Sequence, residues 1–119
     1  MDILKETKLI SNYIISLRKD FHKYPELSME EYRTSKRIKE ELDKIGVKYQ
    51  EGIKTEVVAT IGKGNGRVIA LRADMDALKI QENTDVRYAS ENKGVMHACG
   101  HDSHMASLLG AAMILKKYE

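Results

Sequence analysis

The chain has 119 residues, 42% of them hydrophobic and 32% charged, which suits one soluble globular domain and leaves no room for two. Its 20 basic and 18 acidic side chains leave a net charge of +2, which gives no electrostatic footprint for nucleic acid or an anionic membrane. The longest apolar run, LLGAAMIL at 108–115, is too short to cross a bilayer, and a single cysteine excludes an internal disulfide.

The N-terminus, MDILKETK, mixes acid and base and lacks a signal-peptide core, so a cytoplasmic location is expected. Ile3, Leu4, Ile10, Ile14, Leu17 and Phe21 recur at helical spacing and predict one amphipathic helix from Asp2 to about Tyr24. Pro25, the only proline, turns Tyr24 away from helical backbone and ends that segment. His22 reads as a structural histidine at the helix end. Ser28 and Glu31 have the spacing of a capping box and predict the start of a second helix. Its buried stripe would be Met29, Tyr32, Ser35, Ile38, Leu42 and Ile45, with Gly46 as a left-handed stop.

The period then changes. TEVVATI (55–61) and RVIALRA (67–73) are rich in β-branched residues and flank GKGNG (62–66), predicting two strands joined by a glycine-rich turn. GKGNG opens no helix, so it lacks the dipole that a phosphate loop exploits. VIALRA is almost continuously apolar, the mark of an interior strand covered on both faces. Residues 79–95 are polar and aperiodic and read as an irregular crossing. SHMASLLGAAMILKKYE (103–119) predicts a third helix capped by Ser103 or Asp102. Leu108, Leu109, Ala112 and Leu115 would face inward, and Met105 and Met113 would sit in the core. The order implies an α/β fold with helices packed on a sheet. Two strands cannot shield an interior strand, so the chain reads as the front portion of a longer protein.

The only cysteine and three of the four histidines fall within residues 97–104. Cys99 and His101 flank Gly100; in an extended segment both side chains would project to one face and could share an ion. A thiolate and a neutral imidazole suit zinc or a similar transition metal. The same spacing also suits an inert cysteine beside a hydrogen-bonded histidine, and spacing alone leaves both readings open. Asp74 and Asp76 end the predicted interior strand, where open α/β sheets usually bind ligands. Two adjacent carboxylates repel unless a cation or proton lies between them, although Asp76 could equally serve as a turn residue or helix cap. His104 falls in the first turn of the last helix, where it can simply be exposed. Four ligands including His97 would crowd one tight strand.

HKYPELSMEEYRTS (22–35), IALRADMDAL (69–78) and GVMHACGHDSHMA (94–106) resemble, in this order and at these separations, the N-terminal part of the zinc-dependent amidohydrolases that cleave N-acyl amino acids. These are of the hippurate hydrolase and auxin–amino-acid-conjugate hydrolase type, within the aminoacylase and carboxypeptidase metallopeptidases. The resemblance implies that residues 1–119 are the N-terminal part of a catalytic domain with helices on a mixed sheet, the two-metal aminopeptidase-like fold. A lid or dimerisation domain would follow, and the full-length form could be a homo-oligomer.

The resemblance further implies a site for two divalent metals, zinc or else manganese, cobalt or nickel. Cys99 and His101 would be ligands, Asp74 and His104 further candidates, and Asp76 a carboxylate that orients the ligands. The remaining ligands and a general-base glutamate would lie beyond Glu119. The substrate would be a small-molecule N-acyl amino acid or a related small amide or dipeptide, with no nucleic-acid or membrane partner. Lys79, Lys93, Ser103 and Met105 replace the proline, proline, glycine and threonine common in that family, beside the ligand positions rather than on them. Two other readings stand beside the enzyme: a non-catalytic fragment or interaction module, and Cys99 as a redox or nucleophilic thiol. With two implied ligands and no base, the isolated chain is expected to have negligible amidase activity.

Overall fold

Asp2 accepts the Lys5 N–H at 3.1 Å and starts the first helix of the computed structural model, which describes residues 1–119. The elements run α1 (Ile3–Leu9), α2 (Ser11–Lys23), α3 (Tyr32–Lys44), β1 (Lys48–Glu51), β2 (Val57–Thr60) and α4 (His101–Lys117). The single N-terminal helix expected from periodicity is thus two. The chain breaks at Ile10 (φ −105°, ψ 8°), and the Ser11 hydroxyl donates to the Lys8 carbonyl at 2.9 Å. A serine that satisfies the preceding carbonyl competes with the helical ladder at that point.

The helix α3 starts at Tyr32, and its cap is not the expected Ser28–Glu31 box. The Glu26 carboxylate instead accepts the Thr34 N–H at 2.6 Å, the Thr34 hydroxyl at 2.7 Å and the Arg33 N–H at 3.1 Å. Glu31 turns away to accept the Thr55 hydroxyl at 2.7 Å, and Met29 and Tyr32 are exposed. The stop is as expected. Gly46 has φ 72°, its N–H bonds Asp43 O at 3.1 Å, and the Val47 N–H reaches back to Leu42 O at 2.9 Å. That is a Schellman motif, with the Leu42–Val47 apolar contact that accompanies it.

Leu17, Phe21, Leu42, Val47, Met105, Ala106 and Leu109 form one core between α2, α3 and α4. The helices α2 and α4 approach so closely that a β-carbon at Gly110 would meet Ile14 Cδ1 at 2.7 Å. Leu115, expected inside, is exposed, and α4 begins at His101 rather than 103.

The α/β class holds, with helices packed beside a sheet that in this chain is one antiparallel hairpin. Its strands are not the expected pair. The strand β1 pairs with β2, Lys48 opposite Thr60 and Glu51 opposite Val57. The RVIALRA segment forms no strand: it makes no main-chain hydrogen bond, and Val68 and Ile69 are 89% and 83% exposed. Its apolar character suits a strand between neighbours, and none of the residues present lies along it. The irregular crossing is anchored to the α2–α3 turn. Ala77 N–H bonds Glu26 O at 2.8 Å, Glu91 N–H bonds Lys23 O at 2.9 Å, and the Asn92 side chain bonds Pro25 O at 3.0 Å. A bridge between Leu78 and Met96 closes it.

Candidate metal centre

The start of α4 and the segment after RVIALRA come together. His101 Nδ1 lies 2.8 Å from the Asp76 carbonyl oxygen and 3.0 Å from Asp76 Oδ1. A carbonyl oxygen only accepts, so Nδ1 carries a hydrogen, and in the neutral ring the lone pair is then on Nε2. Nε2 faces Asp74 Oδ2 at 3.9 Å, and Asp74 is also paired with Arg72. A histidine that donates from one nitrogen to a carbonyl or carboxylate and presents the other is the usual arrangement of a metal-ligating imidazole. Cys99 is an exposed free thiol two residues before His101. The extended geometry expected for this pair does not occur, because His101 already opens the helix and Gly100 turns the chain at φ 135°. His104 is exposed one turn along, its ring 6.1 Å from that of His101.

Behind these groups lies a buried polar layer that sequence reasoning missed. Asp102 is 1% exposed and accepts from Arg18 Nε at 3.0 Å, while its Oδ2 also contacts His22 Nδ1 at 2.8 Å. The other ring nitrogen of His22 faces Glu82 Oε1 at 3.0 Å. Glu82 accepts the Ser90 N–H at 2.8 Å and the Thr84 hydroxyl; burial would raise its pKa, but these bonds and His22 outweigh it and lower it. The Tyr88 hydroxyl sits 3.0 Å from Arg18 Nη1, and the guanidinium lies over the ring at 5.1 Å. His22 was expected to be structural, and it is, at the centre of this layer. The sequence suggests Asp102 only as a helix cap, although it follows a histidine directly and falls on the inward side of an apolar helix.

His97 is buried and neither ring nitrogen has a partner. Burial pushes its pKa down to about 4, against the pull of Asp102, so the ring is neutral near pH 7.

Nowhere in the chain do three or more histidine, cysteine or acidic side chains converge closely enough to hold a metal ion alone. The donor types present, an imidazole beside two carboxylates and a thiol two residues before it in the chain, suit a divalent cation as part of its coordination sphere.

The fold and this cluster therefore define an α/β segment in which a helix-start histidine lies beside two carboxylates. A profile described as peptidase family M20/M25/M40 matches residues 70–119. Thermostable carboxypeptidase 1 of Saccharolobus solfataricus is 51% identical over 98% of this chain, which covers 32% of that protein. N-acetyl-L-cysteine deacetylase of Bacillus subtilis is 50% identical over 91% of the chain and 26% of its own length. Among solved structures, a Bacillus subtilis protein described as a dinuclear metal binding peptidase from the M20 family superposes with a TM-score of 0.88 at 45% identity, over 93% of this chain and 32% of that one. The chain belongs to the M20/M25/M40 peptidase family, and it spans about a third or less of the length of these relatives. No helix is long and apolar enough to cross a membrane.

Proposed function

We propose that this chain contributes one side of a two-metal centre for hydrolysing the amide bond of N-acyl amino acids or small peptides. Cys99 and His101 are the ligands it provides. Asp76 holds the His101 ring by its Nδ1 hydrogen and so fixes the direction of Nε2, and Asp74 offers a carboxylate to the same space. The observation that carries this is the His101–Asp76 contact, which prepares Nε2 and leaves it free of any hydrogen-bond partner. The names of the relatives, a carboxypeptidase and a deacetylase, support cleavage of an amide bond next to an amino acid. Zinc is the favoured ion because thiolate and imidazole are its common ligands.

When bound, paired divalent cations supply Lewis acidity, polarising the amide carbonyl and making water acidic enough to attack near neutral pH. The residues of this chain hold and aim the donors. His97, two residues before Cys99, is buried and contributes no hydrogen bond from its ring. On this reading, the remaining ligands and the general-base glutamate would belong to the part of the relatives that this chain does not span. Turnover is thus a property of the whole enzyme.

Zinc titration of wild type, Cys99→Ala and His101→Ala, followed by calorimetry, tests the reading. With part of a coordination sphere, wild type should bind zinc weakly and each variant several-fold more weakly; unchanged affinity in either variant overturns its assignment as a ligand.

A further inference from the structure

The helix α4 begins on Gly100 with no side-chain cap, although its first residue is the candidate ligand His101. An uncapped helix start leaves N–H groups unsatisfied and frays easily. Here the adjoining residue does two things at once. Asp102 Oδ1 accepts the Ser103 N–H at 2.9 Å, within the first turn, and Oδ2 receives Arg18 and His22 from α2. His22 then reaches Glu82, which is itself held by Ser90 and Thr84 of the irregular crossing. The crossing runs on to Val95 and His97, directly ahead of Cys99. One largely buried chain of polar groups, Arg18–Asp102–His22–Glu82, therefore ties the first turn of α4 and the crossing that leads to Cys99 to the same face of α2.

We infer that Arg18, His22, Asp102 and Glu82 are positioning residues for the metal centre, clamping the first turn of α4 so that His101 meets Asp76 and Asp74. The inference rests on the proposed ligand role of His101 and Cys99. Its physical basis is cost. Asp102, His22 and Glu82 are each under a tenth exposed, and buried charges are expensive even when paired. Apolar residues would pack the α2–α4 contact without that cost. A charged chain is directional, as an apolar contact is not, and fixes the azimuth and height of the helix start. No hydrogen bond or ion pair joins any of its members to His101, so its effect on an ion would pass through geometry alone.

The test uses the full 119-residue chain titrated with cobalt(II), whose thiolate charge-transfer band reports a Cys99–metal bond. Wild type should show the band, and Cys99→Ser should lose it. His22→Phe fills the ring space without the two polar contacts, and Arg18→Met removes the outer charge at a side chain that is 34% exposed. Both should weaken cobalt affinity roughly tenfold or more, the scale of losses from groups that orient metal ligands. Arg18→Lys should recover most of that loss. Metal-free melting, followed in parallel, reports structural damage. If His22→Phe fails to fold, Arg18→Met decides. A folded variant of either kind that binds cobalt as wild type does overturns the positioning role and leaves the ligand assignment standing. Arg18→Lys no better than Arg18→Met overturns the role of the Arg18 charge. Absence of the band in wild type overturns the ligand reading and this inference with it.

Discussion

Replacing Glu41 by glutamine should remove an acid-sensitive part of the chain's stability. Glu41 projects from α3, is 2% exposed, and accepts from the Tyr13 hydroxyl at 2.6 Å and Lys44 Nζ at 2.9 Å while pairing with Arg37. Burial alone would raise its pKa. The hydrogen bonds from Tyr13, Lys44 and Arg37, with the Arg37 charge, outweigh burial and hold the carboxyl at about 2 against an ordinary 4.5. Burial and the same carboxylate push Tyr13 upward, so its hydroxyl remains a donor.

At about 1.4 kcal/mol per pH unit, the interval from 4.5 to about 2 corresponds to about 3 kcal/mol. Because the folded-state pKa is depressed, that contribution is complete above 4.5 and drains away as the pH falls toward 2. Glutamine cannot titrate. Urea unfolding of wild type and Glu41→Gln should differ by about 2–3 kcal/mol near neutrality, and the gap should close to under about 1 kcal/mol near pH 2. A gap that stays constant across this range would refute the reasoning, because the lost stability would then owe nothing to the carboxylate charge.

Glu26→Ala should lower stability by about 1–2 kcal/mol in thermal melts, since it strips three acceptor contacts from the start of α3. An unchanged melt would return the cap to Ser28 or Glu31. Ile69→Lys, at a side chain 83% exposed, should leave stability within about 0.5 kcal/mol but reduce concentration-dependent association in sedimentation velocity. Identical sedimentation of the two proteins would show that RVIALRA is not adhesive.

Much of the helical framework was legible because its signals are local. The apolar stripe through Leu17 and Phe21, the glycine stop at Gly46 and the run ending in Lys116 and Lys117 each act within a turn of the chain. The break at Ile10 carried no proline or glycine to announce it. The cap on α3 came from Glu26, eight residues before Thr34, because the left-handed Met29 (φ 66°) folds the intervening loop back on itself. The hairpin was misplaced for a tertiary reason. VVAT pairs with KYQE across the Gly52–Glu56 turn, where the Gly52 N–H bonds Glu56 O at 2.9 Å, and RVIALRA, although the better strand by composition, finds no neighbour. Within the site, the resemblance implies Cys99 and His101 as ligands with Asp74, Asp76 and His104 beside them; His101 lies next to the two aspartates, while Cys99 is an exposed free thiol. The Arg18–Asp102–His22–Glu82 chain draws on residues 18 to 102 and has no local periodicity by which a sequence could reveal it.

The unpaired run from Arg67 to Ala73 leads straight into Asp74. His101 is held by its own helix and Asp76 by His101 and by the Ala77–Glu26 bond beside it, whereas Asp74 follows directly on backbone without a hydrogen-bonded neighbour. A strand laid alongside that run would therefore set the pitch of Asp74 and leave Asp76 nearly where it is. Of the two carboxylates, only the one nearer the run would await completion of a sheet.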